Sequence, residues 1–333
     1  MSASSAPARG KGAFFPDEVP KQSRPRTAGI THVLDRLQAV DEGELAYLAP
    51  YIDIVKVAWG MPLLLTRDRV RQRIRKYHDH GIEVSTGGTL LEYAVSQDRV
   101  NQMIDEAREL GFDLIEVSSG VLDLSSQQIE RLTEAVRRRG LEFFIEVGKK
   151  DPQRQLSLKE TSSQVAFARG LGPRGVILEG ADTGRGVGIF DVNGQIKWDW
   201  VRSILSEHPL EELLFEAPME TQQMQLLHEL GADVNLGNIP LPTVSSLASE
   251  RLGLRGETFG KIRHVRNVRG PPAAKFLYFL LETHHGLDQT QLAHMSRLPR
   301  RTVQSALESL RRQGLVQEAI SLNDSRRREY RLV

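Results

Sequence analysis

The stretch ILEGADTGRGVGIFD, residues 177–191, joins an apolar run to a glycine-rich loop. The β-branched run 175–178 predicts a buried strand, and it stops at the carboxylate of Glu179. The glycines that follow have the spacing G-x-G-x-G, whereas a dinucleotide-binding loop needs G-x-G-x-x-G at the start of a helix. Ile189 and Phe190 come next instead of a helical pattern, so a nucleotide site is poorly supported. An anion cradle, a metal site and a mobile turn remain as alternatives.

The same unit of strand, turn and helix repeats along residues 28–255. The helical segments RDRVRQRIRKYHDHG (67–81) and SQQIERLTEAVRRRG (126–140) are clear, and each ends at a glycine. Eight units predict an α/β fold, a (β/α)8 TIM barrel, and the count of eight argues against an open doubly wound sheet. The predicted strands cover residues 29–34, 52–57, 82–85, 112–117, 142–147, 175–178, 212–215 and 233–236.

The C-terminal ends of barrel strands carry the catalytic groups, so these positions form the candidate site. Four consecutive strands end in LIE, FIE, ILE and LFE, which places four carboxylates on one rim. Because like charges repel at low dielectric, and oxygen ligands without cysteine favour Mg²⁺, we predict a magnesium ion between them. The alternative is that each glutamate pairs with a lysine or arginine, or points outward. The predicted metal ligands are Glu116, Glu146, Glu179 and Glu216, and the other strand-end residues are Asp35, Lys56, Thr86 and Asn235.

Three further segments predict an anionic substrate. STGGT (85–89) begins a helix, where free backbone N–H groups bind anions. Lys149 and Lys150 follow the fifth strand, and Gly237 and Asn238 follow the eighth, where barrels often bind phosphate. An arginine in the glycine-rich loop is suited to a carboxylate or phosphate, although a solvated loop is the simpler alternative. The candidate substrate-binding residues are Gly87, Gly88, Thr89, Arg185, Asn235, Gly237 and Asn238.

Composition excludes several classes of protein. The chain of 333 residues has no cysteine, which excludes disulfides, thiolate catalysis and cysteine-ligated zinc, and no apolar run is long enough to span a membrane. Residues 1–24 are small, polar and proline-rich, which predicts a disordered leader on a cytoplasmic protein. The net charge of +1 conceals a basic segment, since residues 261–333 contain fourteen Lys or Arg against six Asp or Glu.

The basic segment predicts a second domain. Residues 261–272 contain Gly-Pro-Pro and are predicted to link the barrel, residues 25–260, to a domain at 273–333. Three amphipathic helices and a hairpin resemble a winged helix-turn-helix of the multiple-antibiotic-resistance-regulator type. Its expected partner is duplex DNA, read by a dimer, and a role in protein contacts is the alternative. The predicted DNA-binding residues are Arg300, Arg301, Gln304, Arg326, Arg327 and Arg328.

Seven motifs of the barrel resemble the phosphosulfolactate synthase family. They are DIVKVAWG (53–60), STGGTLLE (85–92), LIEVSSG (114–120), IEVGKK (145–150), ILEGADTGRGVGIFDVNGQI (177–196), LLFEAP (213–218) and VNLGNI (234–239) followed by RLGLRGET (251–258). The resemblance covers residues 24–260 and implies a (β/α)8 barrel. It also implies Mg²⁺-dependent addition of sulfite to phosphoenolpyruvate, which gives 2-phospho-3-sulfolactate.

This chemistry assigns roles to charged residues. Sulfite attacks C3 of the enol phosphate, so negative charge builds on C2 and on the carboxylate, where Mg²⁺ held by the rim carboxylates stabilises it. Lys149 is the predicted acid that protonates C2, because a lysine in a cationic, desolvated mouth has a lowered pKa. Glu179 and Lys56 complete the predicted catalytic set, and Lys56 and Arg255 are expected to hold phosphate and carboxylate.

One position departs from the family pattern, which is expected to read Glu-Ala-Arg-Glu-Ser-Gly after the sixth strand. Ala181 stands here in place of the arginine, and Arg185 is expected to supply the missing charge. Two functions therefore compete. In the first, which the rim carboxylates and Lys149 favour, the barrel is a synthase with a regulatory tail, and the chain is expected to form a homo-oligomer. In the second, which Ala181 favours, the chain is a transcriptional regulator whose barrel senses a phosphorylated or sulfonated metabolite.

Overall fold

A computed structural model of the protein describes residues 26–259, 262, 268, 270–284, 286–320 and 328–332. The predicted leader, residues 1–24, and most of the predicted linker lie outside the described residues. The chain divides into two compact units between Ile262 and Arg263. In the described part of the chain, no helix is long and apolar enough to cross a membrane.

The first unit is a TIM barrel. Its parallel strands pair in chain order, and the eighth pairs with the first, so the sheet is closed and both faces are covered. The sequence located each strand to within a few residues, but the last strand begins at Asn235, two residues later than predicted. The strands are β1 (Thr31–Asp35), β2 (Ile54–Val57), β3 (Glu83–Thr86), β4 (Leu114–Ser118), β5 (Glu142–Val147), β6 (Gly175–Leu178), β7 (Leu213–Glu216) and β8 (Asn235–Pro240).

Helices surround the barrel, and their ends follow local sequence signals. Ser125 and Ser157 each form a capping box with the glutamine or glutamate three residues later, which fixes where two of the helices begin. Gly111 ends another helix with φ of 101°, a conformation that favours glycine. The helices are α1 (Glu42–Leu48), α2 (Arg67–His78), α3 (Gly88–Ser96), α4 (Val100–Leu110), α5 (Ser126–Arg138), α6 (Leu158–Gly170), α7 (Trp198–Glu207), α8 (Glu220–Leu230) and α9 (Val244–Arg251).

The inside of the barrel has an apolar layer below a polar one. Successive strand residues point to opposite faces, so a residue two positions after an inward-facing one also faces inward. The apolar layer consists of Ile30, Ile54, Leu114, Phe144, Ile177 and Leu214. Two positions further along the same strands come His32, Lys56, Glu116, Glu146, Glu179 and Glu216, all buried. The period of two therefore places a ring of ionisable groups directly above the apolar layer.

The second unit has its own hydrophobic core. Its elements are α10 (Pro272–Thr283), β9 (Leu287–Asp288), α11 (Gln289–Ser296), α12 (Arg300–Arg312), β10 (Val316–Ile320) and β11 (Arg328–Leu332). The strands form an antiparallel sheet in the order β10-β11-β9. Asp288 caps α11, since its side chain accepts from the backbone N–H of Gln291 at 2.8 Å. The apolar face of α12 is buried at Val303, Ala306, Leu307 and Leu310.

Candidate active site

A cavity of about 360 Å³ opens at the C-terminal ends of the barrel strands, where TIM-barrel active sites lie. It brings together ten of the residues predicted from sequence: Lys56, Gly87, Gly88, Thr89, Glu116, Glu146, Glu179, Arg185, Glu216 and Asn238. Lys150 and Trp59 also line it. The carboxamide oxygen of Asn238 is buried and has no hydrogen-bond partner among the described residues, so this acceptor faces the site without an internal bond.

Two lysines separate the four rim glutamates. The ammonium of Lys56 lies 2.7 Å from Glu216 and 3.3 Å from Glu116. The ammonium of Lys150 lies 2.5 Å from Glu146 and also donates to Glu179. The expected repulsion between carboxylates is therefore relieved by lysines, which is the paired alternative left open by the sequence.

The carboxylates suit Mg²⁺ in kind but do not form a complete site. Among the described residues, no group of three or more histidine or acidic side chains is arranged to hold a metal ion. Mg²⁺ in proteins is often bound through only one or two carboxylates, with waters and substrate oxygens completing its shell. Glu146 and Glu179 match this requirement in number, because both carboxylates lie at the cavity and contact the same ammonium, that of Lys150.

Burial and pairing move the pKa values of the rim glutamates apart. Burial raises the pKa of Glu116 to about 7, against the effect of Lys56. Burial and the charge of Glu146 raise the pKa of Glu179. Burial also favours the protonated form of Glu146, but Lys150 and the interaction with Glu179 outweigh it and lower the pKa of Glu146 to about 2. Burial alone would lower the pKa values of Lys56 and Lys150, but their carboxylate partners raise both, so both lysines are charged at neutral pH.

The start of α3 is built for close approach to its neighbours. A Cβ on Gly88 would lie 2.4 Å from the Cβ of Ser118, and a Cβ on Gly87 would lie 3.0 Å from the backbone nitrogen of Trp59. Only glycine fits at Gly88 without a shift. The N–H of Gly88 points into the barrel, where it lies 3.3 Å from Glu116. The predicted anion-binding segment, residues 85–89, therefore lies at the wall of the cavity.

The glycine-rich loop is anchored on both sides. The side-chain amide of Gln222 donates to the carbonyls of Gly184 and Gly194 at 2.7 and 3.0 Å, and Gln155 accepts from the N–H of Gly188 at 2.8 Å. A Cβ on Gly184 would lie 2.6 Å from Gln222, and φ of 63° there also favours glycine. The loop therefore forms a fixed wall of the cavity, and its glycines serve close packing.

Lys149 does not reach the cavity, which corrects its assignment as the acid. Its ammonium donates to the carbonyls of Ser119 and Leu122 at 2.6 and 3.1 Å and to the carboxylate of Asp123 at 2.8 Å. These bonds tie the loop after β5 to the loop after β4. Lys150 is the lysine of this pair that lies in the cavity.

Three other predicted substrate ligands lie elsewhere. Asn235 starts β8, and its side chain bonds to the backbone of residues 30, 211 and 213 at the N-terminal end of the barrel. Gly237 lies within β8, where a Cβ would be 2.4 Å from Leu214, so its role is packing. Arg255 is engaged in ion pairs with Glu220, Glu250 and Glu257. The late start of β8 explains the first two errors.

Two buried polar residues of the site were not found from sequence. Nε2 of His32 lies 3.3 Å from Ser85 and 3.3 Å from Glu116, and burial lowers its pKa, so the ring is neutral. Glu92 accepts from the hydroxyl of Ser118 and from the N–H groups of residues 120–122, which fixes the loop after β4. The period of two along β1 contained the signal for His32, since Ile30 and Leu34 flank it.

Comparison with known proteins identifies the family. Residues 19–257 match the family model described as (2R)-phospho-3-sulfolactate synthase (ComA). The chain belongs to this family. It is 36% identical to the phosphosulfolactate synthase of Methanothermobacter thermautotrophicus over 250 residues, 73% of this chain and 96% of that protein. The phosphosulfolactate synthase of Bacillus subtilis is 33% identical over 254 residues, 74% and 98% of the two chains. The chain is therefore an enzyme of the phosphosulfolactate synthase class.

The departure from the phosphosulfolactate synthase pattern lies at the cavity rim. Ala181 has φ of 56°, and its N–H donates to Glu179 at 2.7 Å. Its methyl group cannot supply the charge of an arginine. Arg185 lines the cavity with an exposed side chain, and its guanidinium has no ion pair with any described residue. Arg36 is the other arginine at this rim and lies 3.9 Å from Asp182.

Proposed function

We propose that the barrel adds sulfite to phosphoenolpyruvate to give 2-phospho-3-sulfolactate. The observation that carries this proposal is the pair of ammonium groups, those of buried Lys56 and half-buried Lys150, in the mouth of a barrel of this family. The sulfur lone pair of sulfite forms the bond to C3, and the C2–C3 π electrons move to C2 and into the carboxylate. A proton delivered to C2 completes the addition.

Lys150 is the acid of the proposal in place of Lys149. Its side chain lines the cavity, and its charge is kept by Glu146 and Glu179. The carbanion-like intermediate is a much stronger base than an amine, so a lysine that stays protonated until this step is able to give up its proton. Lys56 supplies a second fixed positive charge for the developing negative charge.

The other cavity residues are assigned to binding. The start of α3 offers the backbone N–H of Thr89 to the phosphate, whereas those of Gly87 and Gly88 already donate to Val57 and Glu116. Arg185 is suited to the carboxylate or to sulfite, because its fork of donors matches such oxyanions. Asn238 contributes a buried carboxamide whose oxygen has no hydrogen-bond partner among the described residues.

Mg²⁺ is part of the proposal because of the charge of the cavity. Its described lining has five carboxylates, those of Glu116, Glu146, Glu179, Asp182 and Glu216, against the three cations Lys56, Lys150 and Arg185. A substrate with several negative charges therefore needs a further cation. Glu146 and Glu179 would hold the ion together with substrate oxygens, and the ion would neutralise charge on the substrate.

The direct test is incubation of the full chain with phosphoenolpyruvate, sulfite and Mg²⁺, with the adduct measured by mass spectrometry. We expect the adduct from the wild type and from Lys159→Met, a control on the outer helix α6, and none above background from Lys150→Met. If calorimetry detects phosphoenolpyruvate binding but no adduct forms, the synthase proposal fails and the metabolite-sensing regulator is favoured.

We propose that the second unit is a winged helix-turn-helix that binds duplex DNA as a dimer. Support comes from the exposed side chains of Arg300, Arg301 and Gln304 at the start of α12, which follows α11 after a short turn. Arg328 is exposed at the start of β11, and Arg326 and Arg327 lie outside the described residues. The excess of positive charge in this segment suits a polyanion.

Gel-shift titration against genomic fragments tests this proposal. Arg301→Ala is expected to weaken binding by roughly 1–3 kcal/mol and relax sequence preference, because a side chain at this position contacts bases. Arg328→Ala is expected to weaken binding to all sequences and flatten the salt dependence. If heparin and random duplex compete as well as every genomic fragment, the unit is a nonspecific polyanion binder or an assembly module.

A further inference from the structure

Three loops meet above the cavity through Arg36, Trp59 and Asp182, which follow β1, β2 and β6. The guanidinium carbon of Arg36 lies 5.5 Å from the centre of the Trp59 ring, a cation–π contact. A guanidinium nitrogen of Arg36 lies 3.9 Å from a carboxylate oxygen of Asp182. Trp59 and Asp182 both line the cavity, so Arg36 stands at its edge.

The position of Trp59 is unusual for an aromatic residue. Its φ is 50°, in the left-handed region that bulky side chains rarely adopt, and its side chain is 38% exposed. Such strain persists where the surrounding structure fixes it, and it concentrates at ligand clamps. The backbone nitrogen of Trp59 packs against Gly87 at the start of α3. The backbone of the residue that supports Arg36 therefore lies beside the start of α3.

The contact between Arg36 and Asp182 is loose. A distance of 3.9 Å is longer than a hydrogen bond, whereas Arg73 donates to Asp35 at 2.6 Å elsewhere in the barrel. The side chain of Arg36 is 46% exposed, so this pair is weakly bound and screened by solvent. A better-placed anion would replace Asp182 at low cost.

We propose that Arg36 is a substrate-binding residue that exchanges Asp182 for the carboxylate or phosphate of the substrate. This inference rests on the proposed function, because the anion is taken to be phosphoenolpyruvate. The Trp59 ring supports the guanidinium of Arg36. When no substrate is bound, the carboxylate of Asp182 pairs with this guanidinium. Arg36, on the loop after β1, thus supplies the positive charge that Ala181 does not provide.

The exchange predicts that substitutions of Arg36 and of Asp182 change KM in opposite directions. Arg36→Gln removes a charge-assisted hydrogen bond, so we expect KM for phosphoenolpyruvate to rise by about tenfold to a hundredfold with kcat little changed. Asp182→Asn removes the competing carboxylate, so we expect KM to fall by about 1.5-fold to fivefold. Arg36→Lys keeps the charge but loses the planar fork, and its KM is expected to lie between those of the wild type and Arg36→Gln.

Matched controls and a binding measurement isolate the effect. Arg202→Gln and Asp199→Asn make the same changes in an exposed pair on α7, 3.6 Å apart, and are expected to leave KM unchanged. In Arg36→Gln/Asp182→Asn, the Asp182 substitution is expected to have no further effect. Calorimetric titration with phosphoenolpyruvate and with inorganic phosphate must give the same order of affinities. Equal affinities in all variants, or weaker binding by Asp182→Asn, overturn the exchange, whereas a wild type that binds but forms no adduct overturns only the synthase function.

Discussion

Replacing each of two adjacent lysines with methionine should give very different enzymes. Lys150 lies in the cavity and is the proposed acid, whereas Lys149 is bonded to the loop after β4. Loss of a general acid lowers rates by about 10²–10⁴, so Lys150→Met is expected to lower kcat by this factor. Lys149→Met removes three hydrogen bonds of a loop, so we expect a rise in KM and a change in kcat smaller than about tenfold.

The stability of the two variants must be measured with their kinetics. Removing one partner of a fully buried ion pair costs about 3–5 kcal/mol. The side chain of Lys150 is 29% exposed, so solvent screens the charges that remain and the cost of Lys150→Met is expected to lie below this range. Thermal unfolding of both variants and of the control Lys159→Met establishes that each is folded at the assay temperature.

The reasoning fails if folded Lys149→Met loses kcat as severely as Lys150→Met, since the bonds of Lys149 would then not describe its role. It also fails if Lys150→Met retains the kcat of the wild type. Binding of phosphoenolpyruvate, measured by calorimetry, is expected to persist in Lys150→Met, because an acid acts mainly in the transition state.

Two further predictions concern metal and pH. Activity is expected to need Mg²⁺ and to fall by at least about a hundredfold in Glu179→Gln, and full activity in excess EDTA would contradict the metal proposal. Burial raises the pKa of Glu250 from 4.5 to about 7, so the folded chain retains a proton that the unfolded chain releases, and stability falls as pH rises through this interval. In Glu250→Gln, the free energy of unfolding should decrease less between about pH 5 and pH 8 than in the wild type, by at most about 3 kcal/mol. Urea denaturation measures it against Glu229→Gln on α8, and equal pH slopes would refute it.

Strand position and the direction of strand side chains could be predicted from sequence. The four glutamates that end LIE, FIE, ILE and LFE all face the barrel interior, because each lies two positions after an inward apolar residue. Their common position at the mouth follows from parallel pairing alone. The same rule, applied to β1, would have found His32.

The roles of Lys149 and Lys150 could not be predicted in this way. The period of two ends with β5 at Val147, and Gly148 then takes φ of 139°, which turns the chain. Beyond such a turn, no periodicity tells which of two lysines faces inward. Asn235 was misplaced for a related reason, because a strand boundary two residues in error moves a side chain from one end of the barrel to the other.

The acidic rim is compatible with the proposed use of anionic substrates. Burial disfavours the charged form of a lysine, so a lone lysine at the base of this cavity would lose its proton. Lys56 and Lys150 remain charged because each lies between two carboxylates. The glutamates thus hold two ammonium groups at the place where negative charge develops in the proposed reaction. These groups need not reorient when that charge appears. The glutamates at the ends of four strands therefore keep two lysines charged in the mouth of the barrel.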